Sequence, residues 1–250
     1  MDRPAAARAD GHEADLARAA SLRLRGDVSL LRADARLAVD ETLRRVASVR
    51  ARLGALHGAD PVERVTWRVR SPESIVATAV HRGLELSPAA LRRGVTDVAG
   101  VRLVCTSRRA VRPVLGALLT EPGTGLLAVE DHLAHPPVSG CRTLHAVLAV
   151  PVRLPGGPGT RTVEVQVLTV VMDAWDALRR PLGDDLAHAG LPEDVRARMR
   201  SAADRADRLD RQLDRVRAEV AAWRAARSEH PAGARTTPPA GDAAAASGGW

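Results

Sequence analysis

The chain has no phenylalanine, tyrosine, lysine or asparagine, and its one isoleucine is Ile75. These five amino acids share codons that begin with two A or T bases, so a coding sequence driven towards G and C loses them together. Arginine therefore supplies every positive charge among the 37 Lys+Arg residues. The aromatic content falls to four tryptophans, which excludes a row of ring platforms for stacking successive bases of a single strand. Cysteine is nearly absent too. Cys105 and Cys141 are too few for a disulfide scaffold and lack metal-ligand spacing, which sets aside disulfide-rich secreted folds and zinc knuckles. No apolar run approaches the roughly 18 residues of a membrane span. The start, with Asp2, Asp10, Glu13 and Asp15, lacks the apolar stretch of a secretory signal. A soluble, cytoplasmic protein that does not enter a membrane is expected.

What is present suits a globular enzyme-sized domain: 250 residues, 45% of them hydrophobic, with a formal net charge of +7. A basic balance raises the question of nucleic acid. The arginines, however, alternate with aspartates along helical stretches such as Asp204-Arg205-Ala206-Asp207-Arg208, the pattern of a solvated, ion-paired face. An anionic ligand of nucleotide size stays open. His57, His81, His135 and His188 are scattered without ligand spacing, so no zinc is expected.

Residues 1–33 are rich in Ala and Arg with weak helical periodicity and read as a helical or flexible extension. Val39, Leu43, Val46, Val49, Leu53 and Leu56 then recur at steps of three and four, which predicts an amphipathic helix. Arg64 to Arg70 alternates and predicts a half-buried strand, with Val65, Trp67 and Val69 on one face and Arg68 and Arg70 on the other. Ser71-Pro72-Glu73-Ser74 is a helix start. Further strands are predicted at 101–105, 126–130, 143–152 and 161–168, with a helix at 109–120 and a turn at Pro155-Gly156-Gly157-Pro158-Gly159. The interspersed elements predict an α+β fold with a mixed sheet of about five strands flanked by helices. A helix carrying Met172, Trp175 and Leu178 follows. Beyond it Val195, Met199, Ala202, Ala206, Leu209, Leu213, Val216, Val220 and Trp223 form a heptad seam on a long C-terminal helix. That seam packs either on the first helix of the same subunit or on a second copy, giving a homo-oligomer. From Ser228 the composition turns to Pro, Gly, Ala and Ser, as in a disordered tail. The domain proper thus spans 34–227.

Glu164 and Gln166 stand two apart on one strand and share a face, while Val163, Val165 and Val167 point to the core. Asp97 precedes a strand in Asp97-Val98-Ala99-Gly100-Val101-Arg102. Each is an ordinary surface acid or turn residue when taken alone. Their order changes the reading. Arg68-Val69-Arg70-Ser71-Pro72-Glu73-Ser74, then Asp97 to Arg102, then Asp131 to His145, then Val163-Glu164-Val165-Gln166 with Met172-Asp173-Ala174-Trp175 resemble, in sequence and spacing, the synthetase domain of RelA/SpoT proteins, most closely the small alarmone synthetases.

The resemblance implies a nucleotidyltransferase-like synthetase fold and transfer of the pyrophosphoryl group of ATP to the 3′-hydroxyl of GTP or GDP, giving (p)ppGpp. Such chemistry needs a magnesium ion on the phosphates, cations against the developing charge and a carboxylate at the attacking hydroxyl. The resemblance assigns Asp97 and Glu164 to the metal and to catalysis. It assigns Arg68 and Arg102 to the adenine, where guanidinium planes stack, and Arg70 and Ser74 to the ATP phosphates. Arg142, His145, Gln166 and Asp173 fall to the acceptor nucleotide.

Several positions depart from the family pattern. Cys141 replaces the guanine-stacking tyrosine, a contact of about 1–3 kcal/mol or roughly 5- to 150-fold in affinity, unless Arg142 or His132 covers the base. His132 and Pro137 replace a tyrosine and a lysine. Leu168 stands where the family has arginine, and Arg179 and Arg180 where it has an acid and a histidine. An active (p)ppGpp synthetase is the leading reading. A catalytically weakened nucleotide-binding regulator and a relative that pyrophosphorylates tRNA are the alternatives.

Overall fold

A computed structural model of the chain describes residues 4–137, 140–179 and 192–229, with side chains from residue 18 onward. The elements in order are α1 (Pro4–His57), β1 (Val62–Val69), α2 (Pro72–His81), α3 (Pro88–Gly94), β2 (Ala99–Cys105), α4 (Arg108–Leu119), β3 (Gly125–Asp131), β4 (Leu144–Leu154), β5 (Gly157–Thr169), α5 (Val170–Arg179) and α6 (Glu193–Glu229). The five strands form one sheet in the order β1-β2-β5-β4-β3. Only the central pair β2–β5 is parallel; the other pairings are antiparallel. This is the mixed α+β sheet predicted from the alternation of elements.

Local chemistry accounts for the element boundaries. Ser71 caps α2 by accepting a hydrogen bond from the Ser74 N–H, with Pro72 in the first turn, a position that needs no donor. Ser87 and Pro88 start α3 in the same way, a Ser-Pro signal that the apolar periodicity alone does not reveal. Leu154 pairs with Gly157, so the β4–β5 turn is two residues, Pro155-Gly156, and Gly157 takes the positive φ of 114° that closes it. The glycines and proline beyond the turn belong to β5, which makes that strand longer than its valine run suggests. α1 is likewise longer than its apolar repeat and runs from residue 4 as a single helix.

One sheet face is apolar and one is not. Ala146, Leu148 and Val150 of β4, Val163, Val165 and Val167 of β5, and Val101 and Leu103 of β2 are buried with Val39, Val46 and Val49 of α1 and Val111, Val114 and Leu118 of α4. Alternation then places Arg102, Glu164, Gln166 and His145 on the opposite face. α5 covers one end of that face through a small cluster of Val104, Leu168 and Met172, against which Trp175 and Ala206 pack.

The chain divides into two compact units, residues 1–214 and 215–250. In the first, α6 keeps its heptad seam only half-buried at Val195, Met199, Ala202, Ala206 and Leu213, and its most buried positions lie beside the seam. Its buried residues are Ala203, Asp207, Asp210 and Asp214, whereas Leu209 is 47% exposed. The acids are satisfied by polar partners: Arg108 with Asp207, Arg142 with Asp204 and Asp207, Thr169 with Asp210, and the Arg109 N–H with Asp214. The apolar periodicity thus marked a flank of the inner face and not its centre, because the surface that receives the helix carries arginine and hydroxyl donors. In the second unit Val216, Val220 and Trp223 are exposed, and the Arg227 guanidinium lies 4.9 Å from the Trp223 ring centre. The tail read from Ser228 lies outside the described residues from 230 onward, as does Arg180. No described helix is long and apolar enough to cross a membrane.

Removal of one member of a buried ion pair strands the other, at a cost of about 3–5 kcal/mol. Asp207→Ala is therefore expected to lower unfolding stability in urea by about 3 kcal/mol, while Leu209→Ala at the exposed position costs about 0.5 kcal/mol or less. Equal losses would mean that α6 packs through its leucines.

Candidate functional site

The β1–β2–β5 register builds the polar face. Arg68 pairs with Gly100, which pairs with Glu164; Thr66 pairs with Arg102, which pairs with Gln166. Two rows of side chains therefore stand side by side across three strands. They line a cavity of about 490 Å³ with Arg64 and with Asp173 from the first turn of α5. Gly100 matters for its lack of a side chain: a Cβ there would sit 3.1 Å from Arg68 Nε and 3.2 Å from its Cγ. Arg68 can lie across the strand only because that space is free.

Arg68 reaches Glu164 Oε2 at 3.4 Å. The other carboxylate oxygen of Glu164 accepts from Gln166 Nε2 at 3.0 Å and meets His145 Nδ1 at 3.3 Å. The His145 hydrogen bond and charge, with Gln166 and Arg68, outweigh burial and hold the Glu164 carboxyl down to about 2. It is a permanent anion at neutral pH. His145 in turn faces the His132 ring at 5.1 Å. His132 is held below the ordinary histidine value by burial and by His145.

Arg102 is gripped more tightly. Gln166 Oε1 accepts from its Nε and Nη2 at 3.1 and 2.9 Å, and Nη1 donates to Asp173 Oδ1 at 2.9 Å and to Asp176 Oδ2 at 3.0 Å. Burial acts to lower the Arg102 pKa, but the hydrogen bonds and charges of Asp173 and Asp176 raise it on balance. Asp173 also pairs with Arg64, and Asp176 with Arg179 at 2.8 Å.

A second cluster lies where β1 leads into α2. β1 ends at Val69, so Arg70 is not the next residue of the Arg68 face, as the alternation had predicted. Its guanidinium turns to Ser74 Oγ at 3.2 Å, Thr78 Oγ1 at 3.0 Å and the Asp97 carboxylate. Asp97 Oδ1 is buried and has no hydrogen-bond partner. An orphaned carboxylate oxygen is a hard donor of the kind a magnesium ion takes, and Glu164 offers a second ionised carboxylate. The residue types fit the ion. Among the described residues, no group of three or more His, Cys, Asp or Glu side chains forms a metal site.

The predicted residues thus fall into three places. Arg68, Arg102, Glu164, Gln166 and Asp173 share the cavity, and His145 supports Glu164. Arg70, Ser74 and Asp97 form the neighbouring cluster; Asp97 does not line the cavity. Arg142 is directed to α6, donating to Asp204 at 2.7 Å and to the Gly140 carbonyl at 3.0 Å. Burial pushes the Cys141 thiol up to about 11, so it is a neutral, half-buried group. Leu168 is fully buried beneath α5. The sequence reading omitted Arg64 and Asp176. Arg64 was signalled by the period-two row Arg64, Thr66, Arg68, and Asp176 by its place one helical turn after Asp173.

The cavity thus opposes guanidinium and carboxylate groups on the polar face of a mixed five-stranded sheet. The family model described as the region found in RelA / SpoT proteins matches residues 67–179. The chain is 28% identical over 165 residues to GTP pyrophosphokinase YwaC of Bacillus subtilis, covering 66% of this chain and 78% of that protein. It is 27% identical over 198 residues to GTP pyrophosphokinase YjbM of the same organism, covering 79% and 92%. In structure it is similar to small alarmone synthetase 1 of Bacillus subtilis bound to its product pppGpp, with a TM-score of 0.66 and 27% identity over 75% of this chain and 95% of that one. Small alarmone synthetase 2 of that organism gives 0.65 and 25%, over 75% and 97%. Residues 67–179 match the RelA/SpoT region, and the fold is similar to that of the small alarmone synthetases.

The Glu164 contacts predict an acid-sensitive fold. A carboxyl depressed from 4.5 to about 2 contributes stability that is complete above 4.5 and is lost as pH falls towards 2. Denaturation midpoints of the wild type should fall more steeply between pH 4.5 and 2 than those of Glu164→Gln. Parallel pH profiles would show that His145 and Arg68 do not stabilise the charged form.

Proposed function

We propose that the protein is an alarmone synthetase that transfers the pyrophosphoryl group of ATP to the 3′-hydroxyl of GTP or GDP, producing (p)ppGpp. The observation that carries this reading is the cavity in which Arg68, Arg102, Glu164 and Gln166 converge on one sheet face. Arg68 and Arg102 provide guanidinium planes for the adenine, and Arg70 and Ser74 provide donors for the ATP phosphates. Asp97 and Glu164 would hold magnesium, which when bound neutralises phosphate charge. With its depressed pKa, Glu164 orients the attacking hydroxyl by accepting its hydrogen bond and stores the proton poorly. His145 and Gln166 keep that carboxylate aimed.

The acceptor side is built from Gln166, Asp173, His145 and Arg142. Asp173 reads guanine in competition with its two arginine partners, and Arg142 reaches a phosphate in competition with Asp204 and Asp207. Cys141 provides no ring for the base. A weakly active, regulatory relative is therefore the second reading. With residues 1–33 as an extension ahead of the domain, we also place self-association on the exposed, heptad-spaced Val216, Val220 and Trp223, with a second copy of the chain as partner. A cytoplasmic location accords with these substrates.

Purified protein incubated with labelled ATP and magnesium should form labelled ppGpp or pppGpp from GDP or GTP. Glu164→Gln should lower the rate by about 100-fold or more, since it removes the charge that orients the attacking hydroxyl and would hold the metal. Nucleotide binding without product would favour the regulatory relative, and label only on added tRNA would favour the tRNA-modifying relative. In light scattering at micromolar concentration the wild type should exceed monomer mass, and a Val220→Asp, Trp223→Asp variant should return to it. A monomeric wild type would remove the self-association proposal.

A further inference from the structure

Arginine carries five N–H donors in one plane. Four of those of Arg102 are used at the rim of the plane, on Gln166, Asp173 and Asp176. What remains for a ligand is one Nη2–H and the flat face of the guanidinium, and the value of that face to a planar base depends on how firmly the rim is held. The three anchors are unequal. Gln166 is neutral. Asp173 divides itself between Arg102 and Arg64, whose side chain is 57% exposed. The Asp176 side chain is only 10% exposed and stands between Arg102 and Arg179, which is 17% exposed. A charge pair sheltered from water is screened least.

We propose that Asp176 is a positioning residue for Arg102: it sets the guanidinium plane that receives the adenine ring of ATP, while Arg179 on its far side holds the carboxylate in place. The proposal rests on the reading of the cavity as an ATP site. It also accounts for a local departure from the family pattern. Position 179, where an acid is the rule, is arginine here, and the acid stands three residues earlier on the same face of α5. An acid and a base separated by one turn still meet on a helix surface, so the carboxylate is retained on α5 and directed to Arg102 from Asp176.

Two readouts test this separately. Without nucleotide, the Arg102 Nη1–H resonances in ¹H–¹⁵N spectra, assigned by their loss in Arg102→Lys, should exchange with water slowly in the wild type, because Nη1 donates to Asp173 and Asp176. In Asp176→Asn exchange should be about tenfold faster, and in Arg179→Gln, which loosens the carboxylate from its far side, it should rise by a smaller factor, about two- to fivefold. With nucleotide, Asp176→Asn should raise KM for ATP about tenfold, the scale of one lost charge-assisted hydrogen bond, with kcat within about twofold. Asp176→Glu, which keeps the charge, should recover most of the affinity; it also serves if the asparagine variant does not fold. Unchanged Nη1–H exchange in Asp176→Asn, or a fall in kcat at constant KM, would overturn the proposal. Failure of the wild type to bind ATP would instead refute the ATP-site reading, and the exchange measurement would still decide whether Asp176 holds Arg102.

Discussion

The parallel pairing of β2 with β5 is the constraint on which the site depends. It sets Gly100 beside Glu164 and Arg102 beside Gln166, and the antiparallel addition of β1 places Arg68 against Gly100. A register slip of one residue in either pairing would exchange the polar face for the valine face of the same strands. The buried Val163, Val165 and Val167 forbid that slip, since it would expose them and bury Glu164 and Gln166. The core thus does more than stabilise the sheet: it specifies which side chains meet on the other face.

The same periodicity explains what was readable in advance. Strands with valine at alternate positions declare both faces at once, so the polar row Glu164–Gln166 and its orientation were legible in the sequence, as was the Ser-Pro start of α2. The grouping of Arg68 with Arg70 was not, because alternation holds only while the strand lasts and β1 ends at Val69. Beyond that point Arg70 is directed by the start of α2, where Ser74 and Thr78 offer oxygens. The α6 seam was only partly informative for a different reason. Hydrophobic spacing places the centre of a buried face only when the receiving surface is wholly apolar. Here that surface presents Arg108, Arg142 and Thr169 beside a small apolar cluster, so the helix buries aspartates and leaves most of the seam half-buried.

Pairing between elements distant in sequence set the rest. Nothing in the stretch around Asp176 says that it will meet a residue 74 positions earlier, and nothing around Arg142 says that α6 will claim it. These are consequences of chain topology. They also show what α5 and α6 have in common, since both bring acids to arginines that the motif order assigns to nucleotides. α5 does so inside the cavity and α6 beside it.

That arrangement follows from the composition. With no lysine, each cation at the site is a guanidinium, which binds acids in planar, multi-donor geometry and releases them less readily than a flexible ammonium does. Arg64, Arg68, Arg70 and Arg102 each pair with a carboxylate in the absence of ligand. A triphosphate entering the cavity therefore meets cations that are already neutralised, and it gains only the difference between its own contacts and those it displaces. This opposes tight binding of phosphate alone. It favours a ligand that also offers a planar base to the free face of Arg102, since that contact displaces no carboxylate. On the proposed reading of the cavity as a nucleotide site, selectivity over a bare polyphosphate would follow from the paired state of the arginines, with charge setting the approach and the exposed plane setting the choice.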